Sequence, residues 1–248
     1  MNLTFTHKRV VISGGAIGFG REMALRFNQL GAEVYVCDIR ESALKAFNNS
    51  GVKTSLIDLC DRHAAAGWIR DISADGAIDV LINNAGGVAG QHGKAIDQVS
   101  DDEWDRIIDI NLGATFTLSR AVAPQMKRAG QGKIINISSG AALKASLTGV
   151  QAYCAAKHAV LGLTRQLAHE LGPFGINVNA VAPGFVETNE ATKRQWESFG
   201  EARQQQILQS IAMRRLGTPG DITNAVLFLA SELSSFISGQ IISVDGGS

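Results

Sequence analysis

Val10-Val11-Ile12-Ser13-Gly14-Gly15-Ala16-Ile17-Gly18-Phe19-Gly20-Arg21 decides the fold, because a short apolar run breaks into glycines and then into a helical pattern over 21–30. An apolar run of that length reads as a strand buried on both faces. Glycines at 14, 18 and 20 let the backbone turn tightly and approach a bound group, and the following helix turns its positive end toward the same place. Their spacing is GxxxGxG, with Ile17 and Phe19 interleaved. A strand, a glycine turn and a helix in that order cradle the diphosphate of a dinucleotide.

Outward from that stretch the signal repeats. Apolar runs at 33–37, 54–57, 80–82, 133–137, 176–181 and 240–244 read as six further strands, most of them separated by helical patterns such as 102–128. Strands alternating with helices predict an α/β fold: one Rossmann-type, doubly wound, seven-stranded parallel sheet with helices on both faces. No repeat or linker divides the 248 residues, so residues 1–248 are expected to form a single domain. The polar stretch 187–215, which carries Trp196 and Phe199, interrupts the alternation and is a candidate substrate lid.

Composition narrows the function. Lys plus Arg and Asp plus Glu both total 23, so no net field draws the chain to nucleic acid or an anionic membrane, and a small neutral or mildly charged substrate is expected. Apolar residues at 45% and charged residues at 19% belong to a globular chain. No apolar run reaches the length of a membrane span and no apolar leader precedes the first strand, so a cytoplasmic protein is expected. Cys37, Cys60 and Cys154 form no CxxC pair, and with His158 and His169 they make no metal-ligand spacing; no metal is expected, and the cysteines read as reduced core thiols.

The second strand ends at Asp38, where an acidic group bonds the ribose hydroxyls of a dinucleotide. A carboxylate there repels a 2'-phosphate, and Ile17 brings no cation to offset it. NAD is therefore expected, while Arg40, two residues on, keeps NADP open. Asp58 and Leu59 follow the third strand, placed either for the adenine edge or as a helix cap. Further along, Tyr153 and Lys157 are four residues apart in a helical run, which sets a phenol and an ammonium on one face. To transfer protons at neutral pH a tyrosine must lose about 3 pKa units, about 4 kcal/mol, and a nearby cation supplies about 1 to 3 of them.

In their order along the chain these residues resemble the short-chain dehydrogenase/reductase family. The likeness takes in Gly14, Gly18 and Gly20; Asn83-Asn84-Ala85-Gly86; Asn111; Ser138-Ser139; Tyr153 with Lys157; Asn179-Ala180-Val181-Ala182-Pro183-Gly184 with Thr188; and Val244-Asp245-Gly246-Gly247. The resemblance implies that Tyr153 is the general acid/base, that Lys157 lowers its pKa and bonds the nicotinamide ribose, and that Ser139 holds the reacting oxygen. Asn111 would link Lys157 to solvent. Cofactor contacts are implied at Ile17, Phe19, Asn84, Ala85, Gly86, Pro183, Gly184, Val186 and Thr188. Asn83 and Asn84 have a second reading as ties for strand-end backbone groups. The fourteen-residue step from Ser139 to Tyr153 is one longer than the common spacing, which keeps Ser138 as an alternative.

The expected activity is hydride exchange between NAD and a secondary alcohol or ketone, in a homotetramer. Ala141, Leu143, Val150, Phe185 and Trp196, with Ser139 and Tyr153, are candidate substrate residues, and their apolar character favours a hydrophobic cyclic or aromatic alcohol. An NADP-dependent 3-oxoacyl-(acyl-carrier-protein) reductase is the alternative, and a nonenzymatic dinucleotide-binding protein is a third reading.

Overall fold

The computed structural model describes residues 3–248. Each predicted run is a strand, with bounds moved by at most two residues: β1 (Arg9–Ser13), β2 (Glu33–Asp38), β3 (Lys53–Leu56), β4 (Val80–Asn83), β5 (Gly132–Ile137), β6 (Ile176–Pro183) and β7 (Ile241–Val244). They form one parallel sheet in the order β3-β2-β1-β4-β5-β6-β7. The helices are α1 (Gly18–Gln29), α2 (Glu41–Leu44), α3 (Arg62–Ala74), α4 (Asp101–Ile108), α5 (Ala114–Ala129), α6 (Gln151–Leu171), α7 (Glu190–Ser198), α8 (Gly200–Ser210) and α9 (Pro219–Ala230).

Alternation along the strands divides the interior in two. Val10, Ile12, Val34, Val36 and Ile82 face a core closed by Met23 and Phe27 of α1 and by Ile222 and Val226 of α9. Val11, Tyr35, Leu81 and Ile134 face the opposite core, closed by Trp68 and Ile69 of α3, Leu118 and Val122 of α5, and Leu171 of α6. The chain leaves β1 toward the first face and, after β4, packs α5 on the second. Because β1 and β4 are neighbours, their carboxyl ends diverge into a crevice, the place where ligands enter such sheets.

Two elements differ from expectation. The helical pattern over 102–128 is two helices joined by a π-turn at Asp109–Gly113, which holds Asn111 fully buried. Of the cysteines, only Cys37 is a core thiol, pushed up in pKa by burial; Cys60 is exposed in the turn before α3, and Cys154 is half-buried. Among the described residues no helix is long and apolar enough to cross a membrane, and no cluster of His, Cys, Asp or Glu is arranged to hold a metal ion.

Candidate active site

The glycine turn is pressed against the tip of β4. Gly14 has φ +63°, and a Cβ there would lie 2.7 Å from Ala85 Cα; a Cβ on Gly20 would lie 2.3 Å from the Gly14 carbonyl oxygen. Asn84 Nδ2 donates to the carbonyls of Ser13 and Gly14 at 3.1 and 2.7 Å, and Ser13 Oγ accepts from the Asn84 and Ala85 amides. Asn84 thus ties the turn through its side-chain nitrogen, while its side-chain oxygen takes no part in these bonds. Asn83 likewise bonds inward, to Ser119 and Asn136.

Above the turn, α1 begins bare. Ile17 at its N-cap offers no side-chain acceptor and the first turn holds no acid, whereas α3, α4, α7 and α9 are capped by Asp61, Ser100, Asn189 and Thr218. Uncapped amides at the positive end of a helix fit an anion, so the residues present fit a dinucleotide diphosphate. Ile17 and Phe19 contribute packing, half-buried against the first core. Thr188 meets the same turn from the far side, its Cβ 3.2 Å from where a Gly18 Cβ would stand.

Asp38 is 4% exposed, and its carboxylate is partly used: Oδ2 accepts from the Ala16 amide at 3.1 Å, and Oδ1 accepts from the Arg40 amide and guanidinium. Four lone-pair sites minus these three bonds leave one on Oδ2 for a ribose hydroxyl. Asp58 is exposed, and one carboxylate oxygen accepts from the Cys60 amide, while the Leu59 side chain is buried in the second core.

The proton-transfer candidates gather where β5 ends and α6 begins. Ser138 is buried and its Oγ donates to the Lys157 carbonyl at 3.1 Å, so it serves as a brace; Ser139 is half-buried beside the Tyr153 phenol. The long step between Ser139 and Tyr153 is absorbed by a 3-10 turn at Gly140–Ala142 and the loop after it. Lys157 Nζ donates to the Ile137 carbonyl at 2.9 Å and lies 5.7 Å from the Tyr153 ring centre. Asn111 Oδ1 accepts from the Gly87 amide, and its Nδ2 donates to the carbonyls of Gly87 and Ile107. Gly86, at φ +151°, separates the two: a Cβ there would lie 2.4 Å from Asn111 Oδ1 and 3.3 Å from Lys157 Nζ.

Burial raises the Tyr153 phenol above its usual value, opposed by the Ser139 hydroxyl. Burial also lowers Lys157 itself to about 8, since no carboxylate accompanies it. Positive charge brought close to such a phenol would lower it again.

The substrate candidates separate. Val150 is buried with Ile107 and Ala152, and Tyr153 packs against the three. Ala141 is buried and Leu143 exposed, both on the loop facing Cys154. At the end of β6, Pro183 is buried, and Gly184 after it has no room for a side chain, because its Cβ would lie 2.8 Å from Asp245 Cα. The Val186 side chain joins the first core, leaving only its backbone for a cofactor. Phe185, Trp196 and Phe199 form an aromatic trio with ring centres 5.4 to 6.2 Å apart, which packs α7 over the start of the 187–215 stretch. Asn136 and Thr164, absent from the sequence reading, are bonded to each other beneath the site. Their signal is a lone amide inside the apolar run Ile134-Ile135-Asn136-Ile137.

A sheet with a dinucleotide-fitting turn at its switch point and a Ser/Tyr/Lys/Asn group beside it defines a class of oxidoreductases. A family model described as Enoyl-(Acyl carrier protein) reductase matches residues 14–248, and the chain belongs to the short-chain dehydrogenase/reductase family. It is 38% identical over 244 residues to the (2S)-[(R)-hydroxy(phenyl)methyl]succinyl-CoA dehydrogenase subunit BbsD of Thauera aromatica, covering 96% of this chain and 94% of the relative. Several other relatives carry the name 3-oxoacyl-[acyl-carrier-protein] reductase. Among solved structures, the 3-oxoacyl-[acyl-carrier protein] reductase of Brucella melitensis with bound NAD superimposes with a TM-score of 0.86 at 34% identity, covering 99% and 93% of the two chains. ElxO with NADP bound gives 0.88 at 30% identity, covering 97% and 98%.

Proposed function

We propose that the protein interconverts a hydroxyacyl and an oxoacyl thioester, the secondary alcohol and ketone of that class, with NAD as the preferred dinucleotide. The supporting observation is the meeting of the Ser139 and Tyr153 hydroxyls beside Lys157 and Asn111, at the crevice where the glycine turn opens. In reduction Tyr153 gives its proton to the carbonyl oxygen while the Ser139 hydroxyl bonds that oxygen, and in oxidation the same phenol takes the proton back. A bound nicotinamide dinucleotide supplies or receives the hydride. Lys157 keeps a positive charge beneath the phenol, and Asn111 holds the Gly87 backbone that borders it.

The thioester class is supported by the relatives, whose names describe a hydroxyacyl-CoA in one case and an oxoacyl group on a carrier protein in others. NAD is supported by the near-buried Asp38 carboxylate, and Arg40 beside it is the feature that favours NADP. The aromatic trio favours a second reading, oxidation of a hydrophobic secondary alcohol with no thioester. The 187–215 stretch is taken as the lid of a single catalytic domain, and a homotetramer as the working assembly. Three free cysteines suit a reducing cytoplasmic compartment.

The test is reduction of acetoacetyl-coenzyme A with NADH and with NADPH at equal concentration, beside oxidation of a cyclic secondary alcohol. Turnover of the thioester that falls about 100-fold or more in Tyr153→Phe supports the reading. Turnover of the alcohol alone favours the second, and turnover unchanged in Tyr153→Phe overturns both.

A further inference from the structure

Tyr153 and Lys157 can act together only if α6 stands at one height and one rotation over the sheet. Its buried face carries Val160, Leu161 and Leu171 beside Ala152, Ala156 and Ala168, and this apolar, non-directional packing holds the helix against the sheet. Directional bonds add a defined height to it. Alternate residues of the β5 run, Asn136 and Ser138, turn to the same face and meet α6 at two points two helical turns apart. Asn136 Nδ2 donates to Thr164 Oγ1 at 2.9 Å, and Ser138 Oγ donates to the Lys157 carbonyl at 3.1 Å. Thr164 is 0% exposed and its own hydroxyl proton goes to the Val160 carbonyl at 2.7 Å, so its lone pair is aimed at Asn136.

The tie does not stop at β5. Asn136 Oδ1 accepts from Asn83 Nδ2 at 2.8 Å, and Asn83 and Asn136 are register partners at the end of β4 and β5. Asn83 also donates to Ser119 of α5, and the next residue, Asn84, holds the glycine turn through the Gly14 carbonyl. A chain of buried side-chain bonds thus runs from Ser119 on α5 through two strands to the catalytic helix, and the neighbouring link at Asn84 reaches the cofactor turn.

We propose that Asn136, Thr164 and Ser138 are positioning residues that set the height of α6, and through it the distance of Tyr153 from Ser139 and from the cofactor turn. None of the three touches substrate. The inference rests on Tyr153 as the proton-transfer group, and its test separates the two claims. Thr164→Val keeps the shape of the side chain and deletes the acceptor, and Thr164→Ser restores it. Three quantities are measured: steady-state kcat and KM with acetoacetyl-coenzyme A and NADH, the thermal midpoint, and the tyrosinate ultraviolet titration of the cofactor-free protein. The chain has only two tyrosines, and Tyr35 sits at the amino-terminal half of the sheet, bonded to Glu33.

The expected result for Thr164→Val is a kcat lowered about tenfold or more, since a displacement of about 1 Å can cost about 100-fold. KM for NADH stays within about twofold on the same argument. The Tyr153 titration moves upward as the Ser139 contact is lost, and Thr164→Ser returns both quantities to wild type. The proposal is overturned if Thr164→Val keeps kcat and titration midpoint, if kcat falls only with the folded fraction, or if Thr164→Ser is no better than valine. Should Thr164→Val not fold, Ser138→Ala is read by the same measurements with the same outcomes. If Tyr153→Phe retains turnover, the functional reading fails, and the titration of Tyr153 in Thr164→Val still decides the positioning claim.

Discussion

Replacing Gly86 with alanine tests the spacing between Asn111 and Lys157, and Gly87 provides the control. Both glycines have positive φ, +151° and +131°, so either alanine carries backbone strain of about 1 to 3 kcal/mol. A methyl on Gly87 meets nothing within 4 Å, whereas one on Gly86 lies 2.4 Å from Asn111 Oδ1 and 3.3 Å from Lys157 Nζ. Relieving the first contact moves the Asn111 amide by about 1 Å, judged against ordinary packing distances. That movement breaks its 2.9 Å bond from the Gly87 amide and strands a buried acceptor, at about 1 to 3 kcal/mol. Gly86→Ala is therefore expected to be less stable than Gly87→Ala by about 1 to 3 kcal/mol, or about 2 to 12 °C in thermal midpoint. Turnover should fall about 100-fold in Gly86→Ala and much less in Gly87→Ala. Urea unfolding and steady-state rates on the two variants check this; equal stability with wild-type turnover in Gly86→Ala would refute the reasoning.

Lys157→Met should lose turnover and gain stability at pH 7. Burial lowers Lys157 from 10.5 to about 8, so below pH 8 the folded protein keeps a charge that the unfolded chain holds at less cost, a penalty of about 3 kcal/mol. Between pH 8 and 10.5 the unfolded chain binds the extra proton and the penalty shrinks as pH rises; urea midpoints at pH 7 and 9.5 should show the gap between variant and wild type closing. Asp38→Asn keeps an acceptor for the Ala16 amide and removes the charge, so the ratio of kcat/KM for NAD over NADP should drop at least about tenfold. Trp196→Ala removes two aromatic contacts, so KM for the acyl substrate should rise at least about fivefold while KM for the dinucleotide holds, as initial-rate kinetics would show.

What was legible in the chain follows its physics. The central strands could be read because they lie between two cores and show as short apolar runs, as at Val10-Val11-Ile12. Gly14 and Gly18 could be read because positive φ leaves few other residues possible. The π-turn at Asn111 could not, since residues 102–128 keep a continuous helical pattern and the Asn111 side chain is held by tertiary bonds to Gly87. The bonds of Asn84 to the Ser13 and Gly14 carbonyls and the packing of Val150 beside Tyr153 could not be read, because side-chain direction depends on partners that are distant in sequence. The titration of Tyr153 could not be read for a similar reason: spacing shows that an amine is near, but the balance of burial and charge is a property of the packed site.

The bare start of α1 has a consequence beyond chemistry. Amides that no side chain satisfies are left to water or to an occupant, so an anion bound there holds the folded chain more strongly than the open one, by about 2.7 kcal/mol at a hundredfold excess over its dissociation constant. The lifetime of this protein would then follow the supply of its nucleotide: a starved pool leaves more molecules open to proteases, and the amount of enzyme tracks the amount of the coenzyme it consumes.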